Sequence, residues 1–409
     1  MTRKQWKSVT LIELKERILE IDLLRTISIM IVVLMIHIPN NYAYNFYIEL
    51  DRYTGFLLHT LGIDVALGSF AFLSGFGLYI QKSNREINSS EKLLTFFKKR
   101  FLRIYPLYWI ALVLFFFFFD FYWGMNVIYL IAHFVGLQMI FAPLFSPPIW
   151  TLWFIGIIVI YYLIFILLSY LGSIKRIIPA SLVILAFFLF LHFNYNLVEY
   201  RLFVYYPTFI IGIIIAEVYR SPYFSNIKEK LTNIHHLIPL LIMICSIIIG
   251  WILYTRLARF TYLTYLRNYR TQFLGLIVEQ QLPVFEFVAI LLLTDCVIVA
   301  FIVFILPIFN LSIRVFTLII DKMYVNRAIL LVSYSTYAVY LFHRPFLITF
   351  NTVMLTVFNI DMLEKSNFYL TSISIPLLFI LAFLIQKLAD KGIPVLYQKL
   401  SDKMPATNL

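Results

Sequence analysis

Residues 149–171 read IWTLWFIGIIVIYYLIFILLSYL, a run from Ile149 to Leu171 without one charged side chain. At about 1.5 Å of rise per residue, about 20 such residues carry a helix across the roughly 30 Å hydrocarbon core of a bilayer. Outward from it, stretches 22–39, 57–80, 103–121, 177–192, 202–219, 237–254, 284–306, 329–350 and 368–387 have similar character. The piece 126–141 is shorter and is followed by Pro143, Pro147 and Pro148. Its length and those breakers predict a re-entrant or interfacial helix, not a span. The expected fold is all-α: a polytopic transmembrane helical bundle of about ten spans plus that short helix.

Composition excludes a soluble alternative. Hydrophobic residues are 62% and charged residues 13%, against about 45–50% and about 25% in soluble domains. The net charge of +12, from 33 Lys+Arg against 21 Asp+Glu, would raise nucleic acid as a partner in a soluble chain. Here the basic residues sit mainly in short loops between alternate runs, which is the positive-inside pattern. The expected partner of this charge is the lipid bilayer, not nucleic acid. Cys245 and Cys296 both lie in apolar runs, so neither a disulfide framework nor a metal site is expected.

Counting basic residues sets the topology. With ten spans, the translocated exceptions are Arg52, Arg201, Arg256, Arg259, Arg267, Arg270 and Lys365. Both termini are then cytoplasmic in a multi-pass protein of the cell membrane. Residues 1–21 form a cytoplasmic amphipathic segment, 22–387 the membrane domain and 388–409 a cytoplasmic tail. No cleavable leader is read at the start, and the first span serves as the insertion signal.

Ionisable residues within lipid spans are costly, which makes each a functional candidate. The first span holds Arg25 near its inner end and His37 near its outer end. Asp64 and the pair His343-Arg344 fall in the outer halves of their spans. At the inner face Lys98-Lys99-Arg100-Phe101-Leu102-Arg103-Ile104-Tyr105-Pro106 opens the third span. Histidine can take a proton from a hydroxyl and return it, a carboxylate can orient it, and an arginine can stabilise an oxyanion. Arginines at i and i+3 share a helix face and suit phosphates. Plainer readings exist beside these. His37 could end a helix near water, the basic patch could only anchor topology, and Asp64 could only bond a neighbouring helix. Gly75-Phe76-Gly77 is too short for a nucleotide fingerprint and predicts close helix packing.

Taken in order, these pieces resemble the acyltransferase-3 family of integral membrane acyltransferases. Ile21-Asp22-Leu23-Leu24-Arg25 leading to His37 is similar to the family's first-span arginine–histidine motif. Gly62-Ile63-Asp64 through Phe72-Leu73-Ser74-Gly75-Phe76 resembles its second span. Arg100 to Pro106 resembles its cytoplasmic RxxRIYP element. Ser333-Tyr334-Ser335-Thr336-Tyr337 through Tyr340-Leu341-Phe342-His343-Arg344-Pro345 resembles its late "SYxxYLxHxP" span. Trp150-Thr151-Leu152 adds a fifth match.

The resemblance implies O-acyl transfer, with acyl-CoA (acetyl-CoA above all) as donor substrate and no permanently bound cofactor. The implied acceptor is a hydroxyl of a cell-surface or lipid-linked carbohydrate. His37, Asp64, His343 and Arg344 would be catalytic, while Arg25, Arg100, Arg103 and Tyr105 would hold the donor. Trp150 joins the acceptor side. So does loop 255–283, where Arg259, Tyr262, Tyr265 and Arg267 pair aromatic faces with guanidinium donors; an interfacial aromatic belt explains the same loop. A glycan exporter or flippase on the same scaffold, without acyl transfer, is the competing function.

Two departures stand out. The family usually has ten residues between the arginine and the histidine, and here there are eleven. In a regular α-helix this turns the two about 120° apart rather than about 20°. Either a π-bulge restores one face, or the start is not helical, or Arg25 has a different task. The second departure is Ile155, which stands where many members carry a glutamate.

Overall fold

The computed structural model describes residues 18–37, 52–85, 87–115, 127–145, 148–149, 151–221, 322–362 and 365–401, with 292, 295–296, 298–299 and 301–302 between the last long blocks. Those residues are helical with short connections and contain no strand. Helix α1 (Leu19–Met30) continues into a π-helix over Ile31–His37. Then come α2 (Arg52–Tyr79), α3 (Ser90–Leu114), α4 (Val127–Val135), α5 (Gln138–Phe145) and α6 (Trp153–Ser169). Helices α7 (Ile174–Tyr195), α8 (Tyr206–Arg220), α9 (Lys322–Phe358) and α10 (Thr371–Ser401) follow, and short helical turns over Lys82–Arg85, Arg201–Val204 and Lys365–Leu370 lie between helices along the chain.

Among the described residues, five helical stretches are long and apolar enough to cross a membrane: Gly62–Tyr79, Ile174–Tyr195, Arg201–Arg220, Lys322–Phe358 and Thr371–Val395. The decisive run 149–171 supplies the shorter apolar helix Trp153–Ser169. The expected spans 237–254 and most of 284–306 lie outside the described residues. Helix α10 runs on through the boundary expected at 387.

The π-helix answers the spacing problem. Its i→i+5 bonding turns the chain by roughly 80° per residue instead of about 100°, so seven such residues bring Arg25 and His37 to within roughly 20° of one another.

Helices α2 and α8 pack side by side through two glycines. A Cβ at Gly75 would run into the Phe209 carbonyl oxygen, and one at Gly212 would run into the Phe72 carbonyl oxygen. Without side chains at those points the backbones approach closely, which is how membrane helices gain contact where lipid supplies no hydrophobic drive. Gly77 meets open space, so only the first glycine of Gly75-Phe76-Gly77 has that task.

The piece 126–141 is two short helices. Gly136, at φ +77°, ends α4. The Leu137 amide donates to the Ala132 carbonyl (2.8 Å) and the Gly136 amide to that of His133 (3.1 Å), a Schellman ending. Three donors from α3 then cover the last carbonyls of α4. Tyr108 OH donates to His133 O (2.6 Å), Trp109 Nε1 to Phe134 O (3.0 Å) and Tyr105 OH to Val135 O (2.7 Å). Tyr105 of the RxxRIYP element, with Tyr108 and Trp109 just beyond it, therefore docks the short helices.

His133 in turn fixes the segment before α6. Its Nδ1 faces the Tyr129 carbonyl (2.9 Å), and its Nε2 accepts the Ile149 amide (3.1 Å). A carbonyl only accepts and an amide only donates, so the ring is neutral with its proton on Nδ1. Burial pushes its pKa from the usual 6.5 down to about 4, slightly offset by the Tyr129 bond. The stability this ring contributes is full above pH 6.5 and is lost as the pH falls through about 4. Thermal melts of the purified protein should therefore fall steeply over that range. His133→Asn, which keeps a donor near Tyr129 but does not titrate there, should flatten the curve. An unchanged slope would assign the effect to other groups.

Candidate active site

Helix α9 assembles the site along one of its faces. Ser333, Tyr337, Tyr340 and His343 follow at steps of four, three and three residues, a spacing that keeps them on one side of an α-helix. Ser333 Oγ donates to the buried Asp22 carboxylate, and Arg25 Nη1 lies 3.6 Å from the same oxygen. Tyr337 OH donates to the Ile104 carbonyl (2.7 Å), beside Arg103 in α3. Tyr340 OH donates to the Thr151 carbonyl (2.6 Å). His343 meets His37, with ring centroids 4.4 Å apart and planes tilted by 49°. Through these four residues the late SYxxYLxHxP span touches three of the four other matching segments: the first span, the RxxRIYP element and Trp150-Thr151-Leu152.

The two histidines are held differently. His343 is fully buried, and its Nδ1 lies 3.0 Å from the Val339 carbonyl one turn back. That contact places the proton on Nδ1 and leaves the Nε2 lone pair as the basic end. Nε2 has no hydrogen-bond partner among the described residues. An unpartnered buried nitrogen is costly, and here it belongs to a ring packed against a second imidazole. His37 closes the π-helix and is half-buried.

Asp64 is buried in α2, and its Oδ1 accepts the Tyr205 hydroxyl (2.9 Å). Tyr205 also stacks on Trp153 at 6.3 Å. Arg344 is half-buried, one position and so about 100° around α9 from His343. Ile155 is buried in the core of α6, so no acid stands there.

The basic pair divides its exposure. Arg100 lies with its guanidinium carbon 5.5 Å from the Phe96 ring centroid and 5.4 Å from that of Tyr162, while Arg103 is exposed. A groove of about 650 Å³ opens beside Arg100, with Lys98, Tyr105, Trp109 and Phe134 also in its walls, while Arg103 does not line it. Of the residues expected to meet an acceptor, Trp150, Arg259, Tyr262, Tyr265 and Arg267 lie outside the described residues.

Three groups escaped the sequence reading. Asp295, buried within stretch 284–306, lies within electrostatic reach of Asp64; an acid in an apolar span was its signal. His133 was legible only as part of a short helix. Glu199 and Arg201 form a pair at 2.7 Å, with side-chain exposures of 1% and 21%, where the sequence showed a translocated loop.

A family model for an acyltransferase domain matches residues 18–387. Among curated proteins and among solved structures, nothing matches the chain.

Proposed function

We propose, for a chain that belongs to the acyltransferase-3 family, a membrane O-acyltransferase that moves an acyl group from acyl-CoA to a carbohydrate hydroxyl. The observation that carries the reading is the His37–His343 pair, in which one imidazole keeps an open, buried Nε2. In the proposed reaction His37 takes the acceptor's hydroxyl proton and the oxygen attacks the thioester carbon. The tetrahedral intermediate collapses, expels the CoA thiolate and returns the proton to sulfur, giving an ester and free CoA. His343, its tautomer fixed by Val339, packs against the His37 ring and holds that base in place.

Distance supports a donor that enters from the basic end. Ser333 and His343 are ten residues apart on α9, or about 15 Å along the axis. An extended pantetheine arm covers that interval, with its phosphates near Arg25, Arg100 and Arg103 and its thioester at the histidines. Ten spans with both termini cytoplasmic would put the phosphate end inside and the histidines toward the outer face. The spacing that left an exporter open is absorbed by the π-helix, which favours the acyl-transfer reading.

The direct test incubates purified protein in nanodiscs with labelled acetyl-CoA and follows free thiol and labelled ester. Release of CoA thiol, together with ester groups on surface glycans that vanish when the protein is absent, is the expected result. No thiol release with any acceptor would overturn the proposal. Arg100→Gln with Arg103→Gln should raise the apparent donor KM by about tenfold or more, because charge-assisted bonds to phosphate are lost. The native KM should also rise with salt. A KM indifferent to both changes would leave these arginines as anchors of topology.

A further inference from the structure

Arg201, which opens the helical turn Arg201–Val204, is held more firmly than an arginine at a helix start needs to be. Pro143 has no amide hydrogen, so the Met139 carbonyl loses its α-helical donor. It accepts the Glu199 amide instead, at 2.7 Å, while the neighbouring Ile140 carbonyl takes the Val198 amide at 2.8 Å. These two bonds fix the backbone on which Glu199 sits. Its carboxylate is buried and is used twice by one residue. Oε2 accepts the Arg201 amide (2.9 Å) and Oε1 accepts Arg201 Nε (2.7 Å). The guanidinium then lies over the Trp153 ring, 4.0 Å from its centroid.

This arrangement engages one nitrogen and one face of the guanidinium. No described residue takes a hydrogen bond from Nη1 or Nη2, and about a fifth of the side chain is open. The fork belongs to the same neighbourhood as the paired histidines. Arg201 is within electrostatic reach of Tyr340 and Tyr205, and the Tyr340 ring is 6.1 Å from that of His343. A pre-oriented arginine with two parallel donors left over matches a carboxylate or a phosphate monoester in a bidentate pair.

We propose that Arg201, oriented by Glu199 and Trp153, binds an anionic substituent of the acceptor, a carboxylate or phosphate next to the hydroxyl that is acylated. The acceptor is then a charged sugar rather than a neutral one. This rests on the acyl-transfer reading for the word acceptor, but the binding itself does not require transfer.

The test therefore uses no donor. Full-length protein in phosphatidylcholine nanodiscs is titrated by ligand-observed NMR with methyl β-D-glucoside, methyl β-D-glucuronide and glucose 6-phosphate. At least one anionic probe should bind about tenfold more tightly than the neutral glucoside, as expected for one bidentate charge-assisted pair. Preference for the glucuronide assigns a carboxylate, and preference for the sugar phosphate assigns a phosphate. Arg201→Gln should erase the difference. Arg201→Lys, which keeps the charge but loses the fork, should retain only part of it, and it carries the test if the Gln variant fails to fold. Equal binding of all three probes, no binding of any, or a preference unchanged in a folded variant would overturn the proposal. Failure of thiol release alongside a preserved anion preference would instead overturn the acyl-transfer reading alone.

Discussion

His37→Ala is expected to lower acyl transfer by about 10²- to 10⁴-fold, the range a positioned general base contributes, while the protein still accumulates in the membrane. The side chain ends the π-helix and packs on the His343 ring, so alanine removes the base without opening the α2–α8 core. The measurement is labelled ester formed per mole of folded protein. His343→Gln makes the informative companion, since an amide keeps a polar group beside His37 but does not take up a proton. Under the proposed division of labour it should cost less than His37→Ala. If the order is reversed, the open Nε2 of His343 is the base and His37 the support.

The second large effect concerns packing. Gly75→Ala should prevent a normal fold, with loss of monodisperse protein or a destabilisation of more than about 3 kcal/mol, because the new methyl meets main chain that does not move aside. Gly77→Ala is the control two residues along the same helix. Its methyl enters open space, and alanine's better helix propensity should leave stability unchanged or raised by up to about 1 kcal/mol. Equal behaviour of the two variants, read by melting and size-exclusion chromatography, would remove the glycine contact from the account of how α2 and α8 join.

What could be read in advance follows from what each signal measures. Hydropathy reports depth, so the long apolar runs and the ionisable residues inside them were legible: His37, Asp64 and His343 were all found this way. The same rule points to Asp295, an acid inside the apolar run 284–306. Charge counting also reports only depth. It placed Arg201 in a translocated loop and could not show that Glu199 and Trp153 hold it. That arrangement depends on a carbonyl freed by Pro143 more than fifty residues earlier, a long-range main-chain pairing with no local pattern. Tyr105 shows the opposite limit. It was expected on the donor side and lies in the groove wall, yet its hydroxyl is spent on the end of α4. Side-chain type suggested a ligand where part of the need was a helix carbonyl.

The π-helix over Ile31–His37 has a bearing on how such a protein tolerates change in length. One residue more than the family's usual spacing has been taken up as wider winding, so the two ends of the segment keep their mutual orientation. Elsewhere in α1 an added residue would swing everything beyond it by about 100° and carry the histidine off its partner. Over Ile31–His37 the residue already present in excess is absorbed by the wider winding, and aim is kept. The first span therefore carries its extra residue between its arginine and its histidine without turning one away from the other.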